Sequence, residues 1–217
     1  MKDLREWLAV VEEWGQLHYV TEEVDWNEDL TAITYMVAQE PCAPVLMFEN
    51  IKGARPGFRV ISNILSSSNE RVALSLRLTP EAPLPALINE ARGKLNERIP
   101  PKEIDASQAP VNENVLRGGD VDITMFPAPK MWPRDGGRYL GTGNITITQD
   151  PEHGFYNLGT YRQMIQSKHE LGLYMSPGKD ALLHLDRYWA RDEPMPVAVA
   201  YGMDPVLFCV GALGYPK

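Results

Sequence analysis

The chain has 217 residues, of which 44% are hydrophobic and 23% are charged, and its formal net charge is −8 at pH 7. These values are typical of a globular protein that buries a sizeable core, as one large domain or two small ones. No long apolar run and no basic stripe occurs in the sequence, which argues against a membrane span and against nucleic acid as a partner. The two cysteines do not form a metal-binding motif, and the cytosol is the expected compartment.

Residues 1–110 are predicted to form a small α/β domain, because helical and strand patterns alternate there. A first helix is predicted over residues 3–14, with Asp3 as its N-cap and apolar side chains at helical spacing. A second helix is expected to begin at Asn27, and Ser68 or Asn69 is expected to cap a third. The remaining elements of this part, in chain order, are the strands LHYV, VLMFEN and FRVISNIL and a fourth helix, LPALINEARGKL.

Residues 111–217 are predicted to form a second domain that follows a proline-containing connector. Prolines 127, 129 and 133 oppose regular structure at its start. NITITQ and FYNLGTYR are predicted as the two strands of a hairpin with the turn DPEHG between them. Two further strands, KHELGLYM and VAVAY, are predicted on either side of the helix ALLHLDRYWARD, which starts at Lys179 or Asp180.

The predicted strand FYNLGTYR carries an amide, Asn157, and a guanidinium, Arg162. Their odd separation would place them on opposite faces of a regular strand. A bulge or kink at Gly159 would bring both to one face. The alternative is that Asn157 bonds to solvent or backbone and Arg162 makes an ordinary salt bridge. The strand pattern by itself favours that alternative, because most polar strand residues lie on the surface.

Other candidate sites carry weaker signals. The loop SPGKD can hold an anion through backbone amides and Lys179 at a helix start, although an ordinary helix entry looks the same. The glycine-rich pieces DGG and GTG fit neither the dinucleotide-binding nor the Walker pattern. The four histidines are not spaced as metal ligands.

Several of these segments occur in the order found in a known family. NLGTYR, SPGKD and VAVAYGMDP, preceded by PVLMFENIKG, resemble the UbiD family of reversible aromatic and α,β-unsaturated acid decarboxylases. The resemblance covers nearly the whole chain. It implies an α+β fold in which residues 111–217 begin a flavin-binding split β-barrel. It also implies prenylated FMN, Mn²⁺ and K⁺ as cofactors, and an aromatic or unsaturated carboxylic acid as substrate.

The resemblance also assigns residues to roles. Asn157 matches the family's metal-binding asparagine, and Arg162 matches its active-site arginine, a catalytic residue. The positions that match cofactor contacts are Thr160, Tyr161, Arg162, Tyr174, Met175, Ser176, Gly178 and Lys179, with residues 211–213 as a third wall of the pocket. Several relatives use a histidine as a second metal ligand, but none occurs here between His169 and His184. Lys179 is therefore expected to contact the flavin phosphate directly and to replace part of the cation's role.

Family members are considerably longer than this chain, and their remaining catalytic glutamates lie beyond its last residues, GYPK. The chain is therefore expected to be a fragment or a split half of a carboxy-lyase, inactive alone. Its expected partners are the C-terminal part or a partner subunit, further copies in a homo-oligomer, and a flavin prenyltransferase that supplies the cofactor. Two alternatives stay open: a non-catalytic subunit that supports a catalytic homologue, and a plain flavin-binding module.

Overall fold

The structure is a computed structural model that describes residues 3–95, 99–141 and 143–213. Within these ranges the chain forms six α-helices and nine β-strands, and the strands make three sheets of three strands each. The mixed α+β class expected from the sequence is therefore confirmed. No helix in the described ranges combines the length and apolar character that a membrane span needs.

The first sheet contains β1, β2 and β3 in that order, with β1 parallel to β2 and β3 antiparallel to it. The three strands are Leu17–Val20, Val45–Phe48 and Val60–Ser62. All four residues of β2 are buried, as expected for a central strand that reads as one apolar run. Four helices accompany this sheet: α1 (Leu4–Glu13), α2 (Asp29–Ala38), α3 (Asn69–Ser75) and α4 (Leu84–Leu95).

The core of this part lies on both faces of β2, because successive strand side chains point in opposite directions. On one face Val45 packs against Trp7 and Val11 of α1. On the other face Leu46 belongs to the same buried cluster as Leu30 of α2. The apolar stripes of the first two helices therefore cover the two sides of a single strand.

Two of the predicted helix caps are confirmed and one is wrong. The side chains of Asp3 and Ser68 accept backbone hydrogen bonds from the first turns of α1 and α3. Helix α2 instead has Glu28 at its N-cap position, with a φ of 74° and no side-chain cap. Asn27 lies in a short parallel bridge with Lys130, whose N–H donates to the carbonyl of Trp26 and whose carbonyl accepts from the N–H of Glu28, so the helix begins one residue later than predicted.

The connector before the second half has little regular structure, as its prolines predict. It contains short 3₁₀ turns at Ala106–Gln108, Pro110–Asn112, Gly118–Asp120 and Ile123–Met125. Its end is held by Arg138, which donates hydrogen bonds to the carbonyls of Phe126 and Ala128 and lies over the ring of Trp26. The irregular chain is thus tied to both halves of the protein.

The second half contains two antiparallel sheets with strand orders β4-β7-β8 and β6-β5-β9. The first of these sheets contains β4 (Tyr139–Gly141), β7 (Arg162–Ile165) and β8 (Leu171–Tyr174). The second contains β6 (Tyr156–Gly159), β5 (Asn144–Gln149) and β9 (Val197–Tyr201). Strand β4 was not predicted from the sequence. The two helices of this half are α5 (Asp180–Trp189), predicted, and α6 (Pro205–Ala212), which was not predicted.

The prediction that FYNLGTYR forms one continuous strand is wrong. Strand β6 ends at Gly159 and β7 begins at Arg162, so the chain crosses from one sheet to the other through Thr160 and Tyr161. The ring of Tyr161 lies so close to Gly159 that a Cβ there would be 2.4 Å from its Cε2 atom. A larger residue at Gly159 would collide with this ring, which makes glycine the residue that permits the crossing.

Candidate active site

A cavity of about 430 Å³ lies where β6, the crossing segment, β8 and the helices α5 and α6 meet. Most of the predicted site residues line it, together with residues 211–213 at the end of α6; these site residues are Asn157, Thr160, Tyr161, Arg162, Tyr174, Ser176 and Lys179. Met175 and Gly178 do not line it. The lining also includes Asp180, next to Lys179, which was not predicted as a site residue.

Asn157 and Arg162 reach this cavity from different sheets. Asn157 pairs with Thr148 in the sheet of β5, whereas Arg162 pairs with Tyr174 in the sheet of β8. A regular strand would have separated the two side chains, and the break after Gly159 removes that constraint. The structure therefore brings the amide and the guanidinium to one cavity, by a sheet crossing rather than by the bulge expected from the sequence.

Tyr161 is fixed in the crossing segment from several sides. It is 8% exposed, and its carbonyl accepts a hydrogen bond of 3.2 Å from Nδ2 of the buried Asn144. Its hydroxyl oxygen accepts from the backbone N–H of Ala181 and from Nδ2 of Asn157, each at 3.4 Å. One buried side chain thus joins the crossing segment to the start of α5 and to the amide in the cavity.

The charge in the cavity is mainly positive. Arg162 and Lys179 both line it, and Lys179 occupies the N-cap position of the ten-residue helix α5. Gly178, just before it, has a φ of 81°, which glycine adopts without strain. The positive end of a helix dipole and a neighbouring cation attract anions. Asp180 lies in the first turn of α5, where a negative charge is also favourable.

These groups define the chemistry that the cavity can support. The N-terminus of α5 with Lys179 suits a phosphate group. The guanidinium of Arg162 can bind a carboxylate through two parallel hydrogen bonds. An amide oxygen such as that of Asn157 is a ligand for hard cations.

A second group of metal-ligand side chains lies outside this cavity, at the turn after β5. The ligand atoms of Asp150, Glu152 and His153 all lie within 4.8 Å of one another. The carboxylate of Asp150 already binds the guanidinium of Arg187, and Arg187 also lies 3.4 Å from Glu152. A protein cation therefore offsets part of the negative charge of this group.

Two family models match this sequence. The first is described as the 3-octaprenyl-4-hydroxybenzoate carboxy-lyase N-terminal domain and matches residues 8–91. The second is described as the Rift-related domain of the same carboxy-lyase, UbiD, and matches residues 102–217.

Several curated proteins and solved structures that are similar to this chain are decarboxylases. A phenolic acid decarboxylase of Escherichia coli O157:H7 is 32% identical over 216 residues, which cover 97% of this chain and 45% of that relative. The closed form of vanillic acid decarboxylase from Sedimentibacter hydroxybenzoicus superposes with a TM-score of 0.90 at 29% identity, over 99% of this chain and 46% of that one. The chain thus spans less than half the length of these relatives.

Structures of one similar enzyme contain a flavin. An evolved dimeric form of the UbiD-class enzyme HmfF from Pelotomaculum thermopropionicum, in complex with prFMN, superposes with a TM-score of 0.82 at 26% identity. The match covers 94% of this chain and 45% of that one. This complex shows that prFMN binds to an enzyme with this fold.

Proposed function

Because the chain belongs to the UbiD carboxy-lyase family, we propose that it forms the cofactor-binding part of a decarboxylase. The reaction is the non-oxidative, reversible decarboxylation of an aromatic or α,β-unsaturated carboxylic acid. The observation that carries this proposal is the shared cavity of Asn157 and Arg162. In this proposal the chain catalyses the reaction only together with a C-terminal part or a partner subunit. The complete enzyme is a cytosolic homo-oligomer, and a flavin prenyltransferase supplies its cofactor.

The proposed cofactor is prenylated FMN, and the volume and positive charge of the cavity support this proposal. A volume of about 430 Å³ lies in the range of small-molecule sites. Lys179 and the start of α5 would hold the phosphate, and Thr160, Tyr161, Tyr174 and Ser176 would contact the rest of the flavin. The incomplete split β-barrel predicted for residues 111–217 is part of this proposal. Met175 and Gly178 are assigned supporting roles in the segment that carries Ser176 and Lys179.

The proposed metal ligand is the amide oxygen of Asn157, and the proposed cations are Mn²⁺ and K⁺. The amide nitrogen donates to Tyr161, which leaves the oxygen as the atom that would bind a cation. Lys179 lies in the same cavity and would provide a second, fixed positive charge near the phosphate. A protein ammonium at that place reduces the charge that metal ions must balance.

Arg162 is proposed as the catalytic residue because it would bind the carboxylate that is lost as CO₂. Its charge persists at all physiological pH values, and its planar group fixes the orientation of a carboxylate. When bound, the prenylated flavin supplies the electron sink for decarboxylation. The contribution of this chain is then to orient the acid and to exclude other binding geometries.

The test is co-expression with a flavin prenyltransferase, with and without a family C-terminal part supplied on a second polypeptide. We expect the absorption spectrum of modified flavin in both preparations, and exchange of labelled CO₂ into the acid only when the C-terminal part is present. Flavin without exchange in either preparation would favour a flavin-binding module. Exchange that survives removal of Asn157 and Arg162 would favour a supporting subunit.

A further inference from the structure

A buried glutamine connects the two sheets that carry the cavity residues. Gln163 follows Arg162 in β7 and is 1% exposed. Its Nε2 donates a hydrogen bond of 2.9 Å to Oγ1 of Thr146 in β5. Its Oε1 accepts a hydrogen bond from the hydroxyl of Tyr201 in β9. A side chain of one sheet is thus held at both ends of its amide by strands of the other sheet.

This position has a direct consequence for Arg162. Neighbouring side chains of a strand point to opposite faces. Because the side chain of Gln163 is held by the other sheet, that of Arg162 is directed to the opposite face of β7, and Arg162 lines the cavity. The distance between Asn157 and Arg162 cannot be fixed by strand pairing, because the two residues belong to different sheets. It depends on the contacts that join those sheets.

We propose that Gln163, together with Thr146 and Tyr201, is a positioning device that holds Arg162 in the cavity that Asn157 also lines. We call these three residues the Gln163 latch. The effect of the latch on ligand binding rests on the proposed function, whereas its effect on the positions of Asn157 and Arg162 does not. Gln163 touches no reacting group in this proposal and acts only through Arg162.

The hydrogen bonds of the Gln163 latch explain how it can fix the position of Arg162. Hydrogen bonds are directional, and a buried amide with both ends bonded has one favourable arrangement. Apolar packing between the sheets would tolerate sliding, because contacts between aliphatic groups are not directional. Asn144 makes a second polar connection between the sheets, to the carbonyl of Tyr161, so loss of the latch should displace the strand rather than separate the sheets.

The first experiment measures the two cavity side chains in the 217-residue chain without ligand. The reporters are the NMR signals of the Arg162 Nε–H and of the Asn157 side-chain amide, assigned by substitution of each residue. In Gln163→Leu we expect both signals to shift or broaden, because the hydroxyls of Thr146 and Tyr201 lose their shared partner. Gln149→Leu is the matched control. That glutamine donates to the carbonyl of Gly154 at the far end of β5 and should leave both reporters in place.

Tyr201→Phe tests the latch with a smaller change. It removes only the hydroxyl that donates to Gln163 and keeps the ring, so it should also shift the Arg162 signal. This variant tests the latch even if Gln163→Leu does not fold. If the folded variants have a lower melting temperature but unchanged NMR signals of Arg162 and Asn157, the three residues contribute only to core packing. That result would overturn the proposal.

The second experiment measures the affinity for benzoate, a simple aromatic carboxylate, from the change of the Arg162 Nε–H signal during titration. Gln163→Leu should weaken benzoate binding about tenfold, the size expected from the loss of roughly one hydrogen bond in the site, and should leave FMN affinity unchanged. Equal benzoate affinity in Gln163→Leu and the unsubstituted chain would also overturn the positioning role. Failure of the unsubstituted chain to bind benzoate would contradict the proposed function instead, and the NMR result would then decide the latch by itself.

Discussion

Asn157 and Arg162 belong to different β-sheets, yet both line one cavity. The chain leaves the sheet of β6 at Gly159 and enters the sheet of β7 at Arg162. Two residues only five positions apart in the sequence therefore lie in different sheets. This arrangement places a neutral oxygen ligand and a permanent positive charge around one volume. The combination suits a site that binds a cation and an anion at the same time.

Removal of the Arg162 guanidinium should abolish carboxylate recognition and spare the flavin site. In Arg162→Ala, reconstituted with a C-terminal part, we expect the decarboxylation rate to fall at least about 100-fold, since two charge-assisted hydrogen bonds are lost. Flavin content, read from the absorption spectrum, should be retained. Arg191→Ala removes an exposed arginine near the end of α5 and is the control. Undiminished activity of Arg162→Ala would remove Arg162 from the mechanism.

Lys179 should recognise the phosphate of the flavin rather than its ring system. In Lys179→Ala we expect the dissociation constant of FMN to rise about tenfold, while that of riboflavin, which lacks the phosphate, stays the same. Fluorescence titration of both flavins measures this difference. Lys102→Ala, at an exposed position of the connector, keeps the change in net charge the same and should affect neither flavin. An equal loss for FMN and riboflavin would contradict a phosphate contact.

Gly159 should be intolerant of a side chain because the ring of Tyr161 occupies the space. In Gly159→Ala the new Cβ would lie 2.4 Å from that ring, and we expect the free energy of unfolding to fall by about 1–3 kcal/mol. Urea unfolding measures the change. The control is Gly93→Ala in α4, where a Cβ meets no atom within 4 Å and should stabilise the helix by about 0.5–1 kcal/mol. A neutral Gly159→Ala would show that the crossing segment adapts freely.

The buried carboxylate of Asp150 should make the folded protein sensitive to acid. Burial by itself raises the pKa of Asp150, but hydrogen bonds from Glu152, His153 and Arg187 outweigh it and hold the pKa below its ordinary value. An acid with a lowered folded-state pKa stabilises the fold at a pH above its unfolded pKa, about 3.9, and loses this contribution as the pH falls.

Asp150→Asn should therefore be less stable than the unsubstituted chain at pH 7, and the difference should shrink between about pH 5 and pH 3. Urea unfolding at a series of pH values measures both quantities. Glu113→Gln removes a carboxylate at an exposed position and should not reproduce this pH dependence. A constant difference between Asp150→Asn and the parent across the series would exclude the lowered pKa as its cause.

The N-terminal elements were largely predictable because their signals are local. The cap at Asp3, the apolar spacing of α1 and the apolar run of β2 each depend on a few neighbouring residues. The predicted cap at Asn27 was wrong because a distant residue, Lys130, forms backbone hydrogen bonds with Trp26 and Glu28 on either side of it. Local preference cannot reveal such a contact, since the two residues lie far apart in the sequence.

The sequence by itself indicated most of the side chains of the candidate site, because its amide, guanidinium and lysine stand in segments that resemble one family, but it did not indicate Asp180. It did not determine how they meet. Alternation along a strand predicts that Asn157 and Arg162 diverge, and only the tertiary structure shows that the strand ends between them. The physical reason is that the crossing depends on the fit of Tyr161 against Gly159 and on Gln163 bonding to Thr146 and Tyr201. These contacts join strands of two sheets, and no local pattern encodes them.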